Sequence, residues 1–246
     1  MGIKKIMVIG AGVMGQGISV VFAGKGFSVI IQDIGEEQVK KGLQNIEKNL
    51  AKEIDKGNIP SKEKKLILKR ISGTSKLEEA RDVDFVVEAA AENINIKKEI
   101  FRNLDKICPP DVIFASNTSS LSITEIARAT IRKDKVIGMH FFNPPAKMEL
   151  IEIACGDDTS PQTFQTVKNL SEILGKKAVE VKDSPGFIVN RLLISMINEA
   201  CFLLQEGVAS PEEIDLAMQL GAKHPLGPLA LADLIGLDVC LSITDI

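Results

Sequence analysis

A chain of 246 residues, 45% of them hydrophobic, is long and apolar enough to bury one large core or two modest ones, which excludes global disorder. With 30 Lys plus Arg against 33 Asp plus Glu, its net charge of -3 offers no field for a polyanion, and nucleic acid is excluded as a natural partner. Four cysteines without paired spacing (Cys108, Cys155, Cys201, Cys240) predict neither a disulfide framework nor a metal cluster and suit a reducing cytoplasm.

The N-terminal apolar run at 6–9 is too short for a targeting segment and breaks at Gly10, so it reads as a buried strand. Further strands are predicted at 29–31, 83–87, 112–115 and 136–142, alternating with longer helical patterns that begin at 14–23. This alternation is the signature of a largely parallel sheet covered on both faces. Between 36 and about 70 the pattern is longer than an ordinary crossover, rich in lysine and broken at Gly57-Asn58-Ile59-Pro60, which predicts a helical hairpin arm projecting from the sheet. Strand-like runs stop near Ser184, and Ser210-Pro211-Glu212-Glu213 is a capping box with proline in the first turn. The expected organisation is therefore an α/β domain over 1–184 and an all-α domain over 185–246. The pattern at 241–246 carries no stop signal, so the last helix is expected to continue and the helical domain to be incomplete. The most apolar stretch, 187–204, is interrupted by Asn190, Arg191, Asn198 and Glu199, and with Trp and Tyr absent no membrane segment is expected.

Gly10-Ala11-Gly12-Val13-Met14-Gly15 follows the first strand and opens the first helix, the arrangement in which backbone amides at a helix N-terminus face a pyrophosphate. Gly10 permits the tight turn, Gly12 a close phosphate approach and Gly15 helix-to-strand packing. Asp33 ends the second strand, where a carboxylate accepts hydrogen bonds from adenosine ribose hydroxyls; no Lys or Arg follows until Lys40, which favours NAD over NADP. Asp33 would equally cap the helix at Glu36.

Only two histidines exist. His140, in Gly138-Met139-His140-Phe141-Phe142-Asn143-Pro144-Pro145, sits at a strand's C-terminal end, where ligands bind in this architecture, whereas His224 lies between helices and reads as structural. Glu152 is a carboxylate inside an apolar run and needs a partner; pairing with His140 would orient a base. The alternative is an exposed strand face beside Glu149. In Ala115-Ser116-Asn117-Thr118-Ser119-Ser120, at another strand end, Asn117 and Ser119 are candidates, while Ser122 and Glu125 form a capping box. Asn190 and Arg191, at the domain junction, are polar groups on an otherwise apolar helix and suit a cleft.

With Glu88-Ala89-Ala90-Ala91-Glu92 and Asp183-Ser184-Pro185-Gly186-Phe187-Ile188-Val189-Asn190-Arg191, these motifs together resemble the short-chain L-3-hydroxyacyl-CoA dehydrogenase family over essentially the whole chain. The resemblance implies a Rossmann-type domain followed by a helical one that dimerises, and NAD-dependent interconversion of 3-hydroxybutyryl-CoA, or a similar short acyl-CoA, with acetoacetyl-CoA. It implies that His140 is the acid/base, Glu152 its orienting carboxylate, and Ser119 and Asn190 the groups that hold the substrate oxygen. Glu92, Lys97 and Asn117 are implied at the ribose and nicotinamide side of the cofactor, and the hairpin arm is implied to grip coenzyme A. Lys52 and Lys56, four apart on one helix face, suit its phosphates or are solvated surface charge. Members continue beyond position 246 by further helical segments, and often carry proline where this chain has Ser195. The resemblance leaves fatty-acid oxidation and butyrate or butanol fermentation both open as the pathway. Two other readings compete: a dehydrogenase of a free 3-hydroxy acid, which needs no lysine arm, and a catalytically idle NAD-binding relative.

Overall fold

The computed structural model describes residues 2–244; Met1, at the start of the first predicted domain, and Asp245 and Ile246, at the end of the predicted helical continuation, lie outside the described residues. The chain divides into two compact units after Asp183.

The first unit starts with β1 (Lys5–Ile9), whose last four residues are buried on both faces, as a central parallel strand requires. The glycine loop leads into α1 (Val13–Gly24), and β2 (Ser28–Gln32) returns beside β1. The hairpin is α2 (Glu36–Asp55) and α3 (Ser61–Arg70), broken at the predicted turn. It projects only in part: Ile46, Leu50 and Ile67 join the main core, whereas no residue in 51–66 is buried. The amphipathic pattern of α2 explains this, because its apolar stripe (Val39, Gly42, Ile46, Leu50) ends one turn before the helix does.

The rest of the sheet comprises β3 (Ile71–Thr74), β4 (Phe85–Glu88), β5 (Ile113–Ser116), β6 (Val136–Phe141), β7 (Leu150–Cys155) and β8 (Lys177–Lys182). Between them lie α4 (Ile94–Ile107), α5 (Ile123–Ala127) and α6 (Pro161–Ile173). The strand order is β3-β2-β1-β4-β5-β6-β7-β8. All neighbours are parallel except β6 and β7. Strand order reverses between β1 and β4, which opens a crevice at their C-terminal ends.

The second unit holds α7 (Val189–Gln205), α8 (Pro211–Gly221), α9 (Pro228–Ile235) and α10 (Leu237–Thr244). Ser210 caps α8 in a full capping box. Asp215 accepts hydrogen bonds from the Leu229 and Ala230 amides and so caps α9. Ile194, Ile197, Ala232 and Cys240 form its small core. Among the described residues, no helix is long and apolar enough to cross a membrane.

Candidate active site

The glycine loop crosses the end of β1 at φ +99° for Gly10, and a Cβ there would stand 2.4 Å from the Ala89 carbonyl oxygen. At Gly15 a Cβ would meet the Gly10 carbonyl at 1.7 Å, so only glycine lets α1 pack this closely on the strand. Gly12 differs, since a Cβ there meets nothing within 4 Å. It is the N-cap of α1, no side chain caps that terminus, and no acidic residue occupies its first turn. The uncapped amides of Val13 and Met14 are therefore positioned to receive a phosphate, and the loop fits a dinucleotide. Asp33 faces the same loop: Oδ2 accepts the Ala11 amide and Oδ1 the Ile34 amide, both at 2.7 Å. It does not cap α2, whose N-cap is Gly35. Ile34, 90% exposed beside it, is an apolar surface that sequence reasoning passed over.

A second cluster lies where β4 and β5 end. Glu92 accepts hydrogen bonds from the Thr118 hydroxyl, the Ser119 amide (3.0 Å) and the Ser120 hydroxyl (3.2 Å), and pairs with Lys97 at 3.2 Å. Burial pushes the Glu92 carboxyl up, but Lys97 and these donors more than offset it and hold it below the usual carboxylate range. Lys97, on α4, is 1% exposed, with its ammonium on Glu88 at 2.7 Å and on the Ala90 carbonyl at 3.4 Å as well. Asn117 accepts the Phe141 amide at 2.9 Å and so ties the β5 loop to the strand that carries His140.

His140 and Glu152 are brought together directly. They are opposite residues in the antiparallel β6–β7 ladder, so their side chains share one face. His140 Nδ1 lies 2.9 Å from Glu152 Oε2, with the two side chains 7% and 1% exposed. Glu152 is thus buried against the imidazole and does not stand on an open strand face. The Phe142 ring packs on the imidazole at 4.4 Å between centroids. Lys176 donates to the Pro145 and Met148 carbonyls, both at 2.7 Å, and holds the loop after β6; burial pushes its own pKa down.

The Ser122 capping box is half formed. Ser122 accepts the Glu125 amide, but the Glu125 carboxylate is drawn away by Lys98 and Arg128, and Asp183 takes the Ser122 hydroxyl and the next two amides. Lys52 and Lys56 are exposed on and just after the last turn of α2, with Lys56 3.3 Å from Glu53. Asn58 above all, with Lys56, holds the Glu53 carboxyl below its ordinary range. Asn190 lies on the first turn of α7 in the second unit. Two residues of the quoted motifs that the sequence reading gave no role are Glu88, fully buried at the end of β4, and its partner Ser116. The signal was available, because Glu88 is a carboxylate at the end of an apolar run, much as Glu152 is one inside such a run.

The uncapped glycine cradle, the carboxylate at the end of β2 and a carboxylate-oriented histidine at the end of β6 define a dinucleotide-dependent oxidoreductase. The comparisons with known proteins narrow the class. The 3-hydroxyacyl-CoA dehydrogenase NAD binding domain matches residues 5–184, and the C-terminal domain of the same family matches 186–246. A probable 3-hydroxybutyryl-CoA dehydrogenase from Bacillus subtilis is 53% identical over all of this chain and 86% of its own length. The 3-hydroxybutyryl-CoA dehydrogenase of Clostridioides difficile is 52% identical over 98% of this chain and 86% of its own. The crystal structure of (S)-3-hydroxybutyryl-CoA dehydrogenase from Ralstonia eutropha superposes with a TM-score of 0.96 at 46% identity, covering 99% of this chain and 86% of that one. This chain belongs to the 3-hydroxyacyl-CoA dehydrogenase family, and its cofactor is NAD.

Proposed function

We propose that the protein interconverts 3-hydroxybutyryl-CoA, or a similarly short 3-hydroxyacyl-CoA, and acetoacetyl-CoA, with His140 as acid/base and Glu152 as its orienting carboxylate. The observation that carries this reading is the buried His140–Glu152 pair at 2.9 Å, set across one rung of the ladder at the sheet's C-terminal edge. Glu152 on Nδ1 selects the tautomer that keeps its proton there, so the exchangeable proton is handled at Nε2. In oxidation His140 takes the proton of the 3-hydroxyl, and Glu152 stabilises the imidazolium that forms. NAD, when bound, supplies the acceptor for the hydride that leaves the same carbon. Ser119 holds the substrate oxygen. Gly10, Ala11, Gly12, Val13, Met14 and Gly15 cradle the pyrophosphate, Asp33 takes the adenosine ribose, and Glu92 and Asn117 line the nicotinamide side, with Lys97 acting there mainly through Glu92.

The arm supports a coenzyme A thioester over a free acid. Lys52 and Lys56 are exposed on its tip. A second copy of the chain is the partner that suits the helical unit, which exposes Leu192, Phe202, Leu220, Leu234 and Leu237 around a small core. The four unpaired thiols suit a cytoplasmic setting. The test is titration with NADH and NADPH in the presence of acetoacetyl-CoA, following binding and absorbance loss, beside turnover of 3-hydroxybutyryl-CoA and free 3-hydroxybutyrate. Preference for NADH and for the thioester is expected. Equal rates on thioester and free acid overturn the coenzyme A reading, and binding without turnover supports an idle relative.

A further inference from the structure

We propose that Glu88 is a positioning residue: a fully buried carboxylate that holds Glu92 and Ser119 in place through Lys97, Ala90 and Ser116. For the roles of Glu92 and Ser119 the inference rests on the dehydrogenase reading above. Three bonds converge on Glu88. Oε1 accepts the Lys97 ammonium and the Ala90 amide, each at 2.7 Å, and Oε2 accepts the Ser116 hydroxyl at 2.6 Å. Each partner leads to the site. Lys97 carries its charge on to Glu92, which in turn holds Thr118, Ser119 and Ser120. Ala90 belongs to the loop that closes on Gly10. Ser116 also accepts the Thr118 amide at 3.3 Å, and the Glu88 carbonyl accepts the Asn117 amide at 2.7 Å.

The arrangement has a physical reason. A lysine that is 1% exposed needs a buried counter-ion and acceptors for its remaining ammonium protons, and Glu92 has a side chain 39% exposed and engaged with four other donors. With Glu88 in place, Glu92 can face the ribose without being drawn into the interior by Lys97. Without it, Glu92 becomes the sole counter-ion of a buried cation and turns away from Thr118 and Ser119.

The test compares wild type, Glu88→Gln and Ser116→Ala, each as the full chain. The dissociation constant for NADH is read from nicotinamide fluorescence, with little protein background because Trp and Tyr are absent. KM for NAD, kcat and Tm are measured beside it. Glu88→Gln keeps the shape and a hydrogen bond to Ala90 but removes the charge. Breaking a buried pair in this way is expected to raise the NADH dissociation constant and KM for NAD about tenfold, well beyond any fall in kcat, because His140 and Glu152 lie on other strands. Ser116→Ala leaves the ion pair and should weaken NADH about threefold. A lower Tm with unchanged NADH affinity and KM in Glu88→Gln means a structural role only and overturns the proposal. If Glu88→Gln does not fold, unchanged NADH affinity in Ser116→Ala overturns it instead. A wild type that binds NADH but does not oxidise 3-hydroxybutyryl-CoA defeats the functional reading, while the NADH affinities still decide the role of Glu88.

Discussion

Replacing Glu152 with Gln keeps the side chain's shape across the ladder from His140 and removes only its charge. With Nδ1 and Oε2 2.9 Å apart, the charge centres of an imidazolium–carboxylate pair lie roughly 4 Å apart. At an effective dielectric constant of about 20, that attraction is worth about 4 kcal/mol. An amide oxygen retains a neutral hydrogen bond of about 1 kcal/mol, leaving a loss of about 3 kcal/mol, on the order of a hundredfold in rate. The loss falls on kcat for oxidation, because the imidazolium appears only as the proton moves. If the amide instead turns its NH2 toward Nδ1, the imidazole proton is displaced to Nε2 and the base is lost, so the outcome has the same sign. The assay is steady-state oxidation of 3-hydroxybutyryl-CoA, followed as NADH appearance, with Tm and NADH affinity measured in parallel. A folded variant that binds NADH and turns over within about fivefold of wild type refutes the oriented-base argument.

Two glycine substitutions should separate folding from cofactor binding. Gly15→Ala, whose Cβ would stand 1.7 Å from a carbonyl oxygen, should lower Tm sharply; Gly12→Ala, with open space around its Cβ, should leave Tm near wild type and weaken NADH. Equal Tm losses in calorimetry would contradict that division. Burial pushes the thiols of Cys108 and Cys155 up to about 11 from 9.0, so both stay protonated in the folded chain after the unfolded chain has released its protons. Stability should therefore fall between about pH 9 and 11, a window with no tyrosine titrating, and urea midpoints that stay flat across it would refute the assignment. Leu220→Glu and Leu234→Glu, at side chains 66% and 76% exposed, should shift the protein from dimer to monomer in sedimentation. A wild type that sediments as a monomer contradicts the second-copy reading.

The parts of the fold legible in the sequence were those with two-sided burial or a special backbone demand. β1, the glycine loop and Asp33 form a local unit whose spacing alone carries the chemistry. β3 and β8 were not legible because they are the sheet's edges: Ile-Ser-Gly-Thr has one large apolar residue, and β8 has one buried residue, Val181. The antiparallel turn into β7 was recoverable, since 142–149 is shorter than the dozen or so residues a parallel crossover needs. The need of Glu152 for a partner could be read from its apolar neighbours; the register that makes His140 that partner could not, because it depends on a long-range pairing. The same reasoning about a carboxylate in an apolar run applies to Glu88, and it leads to Lys97, nine positions on.

The most direct test of the account is His140→Ala, assayed with acetoacetyl-CoA and NADH beside a measurement of NADH affinity. With the acid/base removed and the glycine cradle untouched, turnover should fall about 100- to 10,000-fold while the NADH dissociation constant stays within about twofold. A variant that still reduces acetoacetyl-CoA within a few-fold of wild type contradicts the central claim.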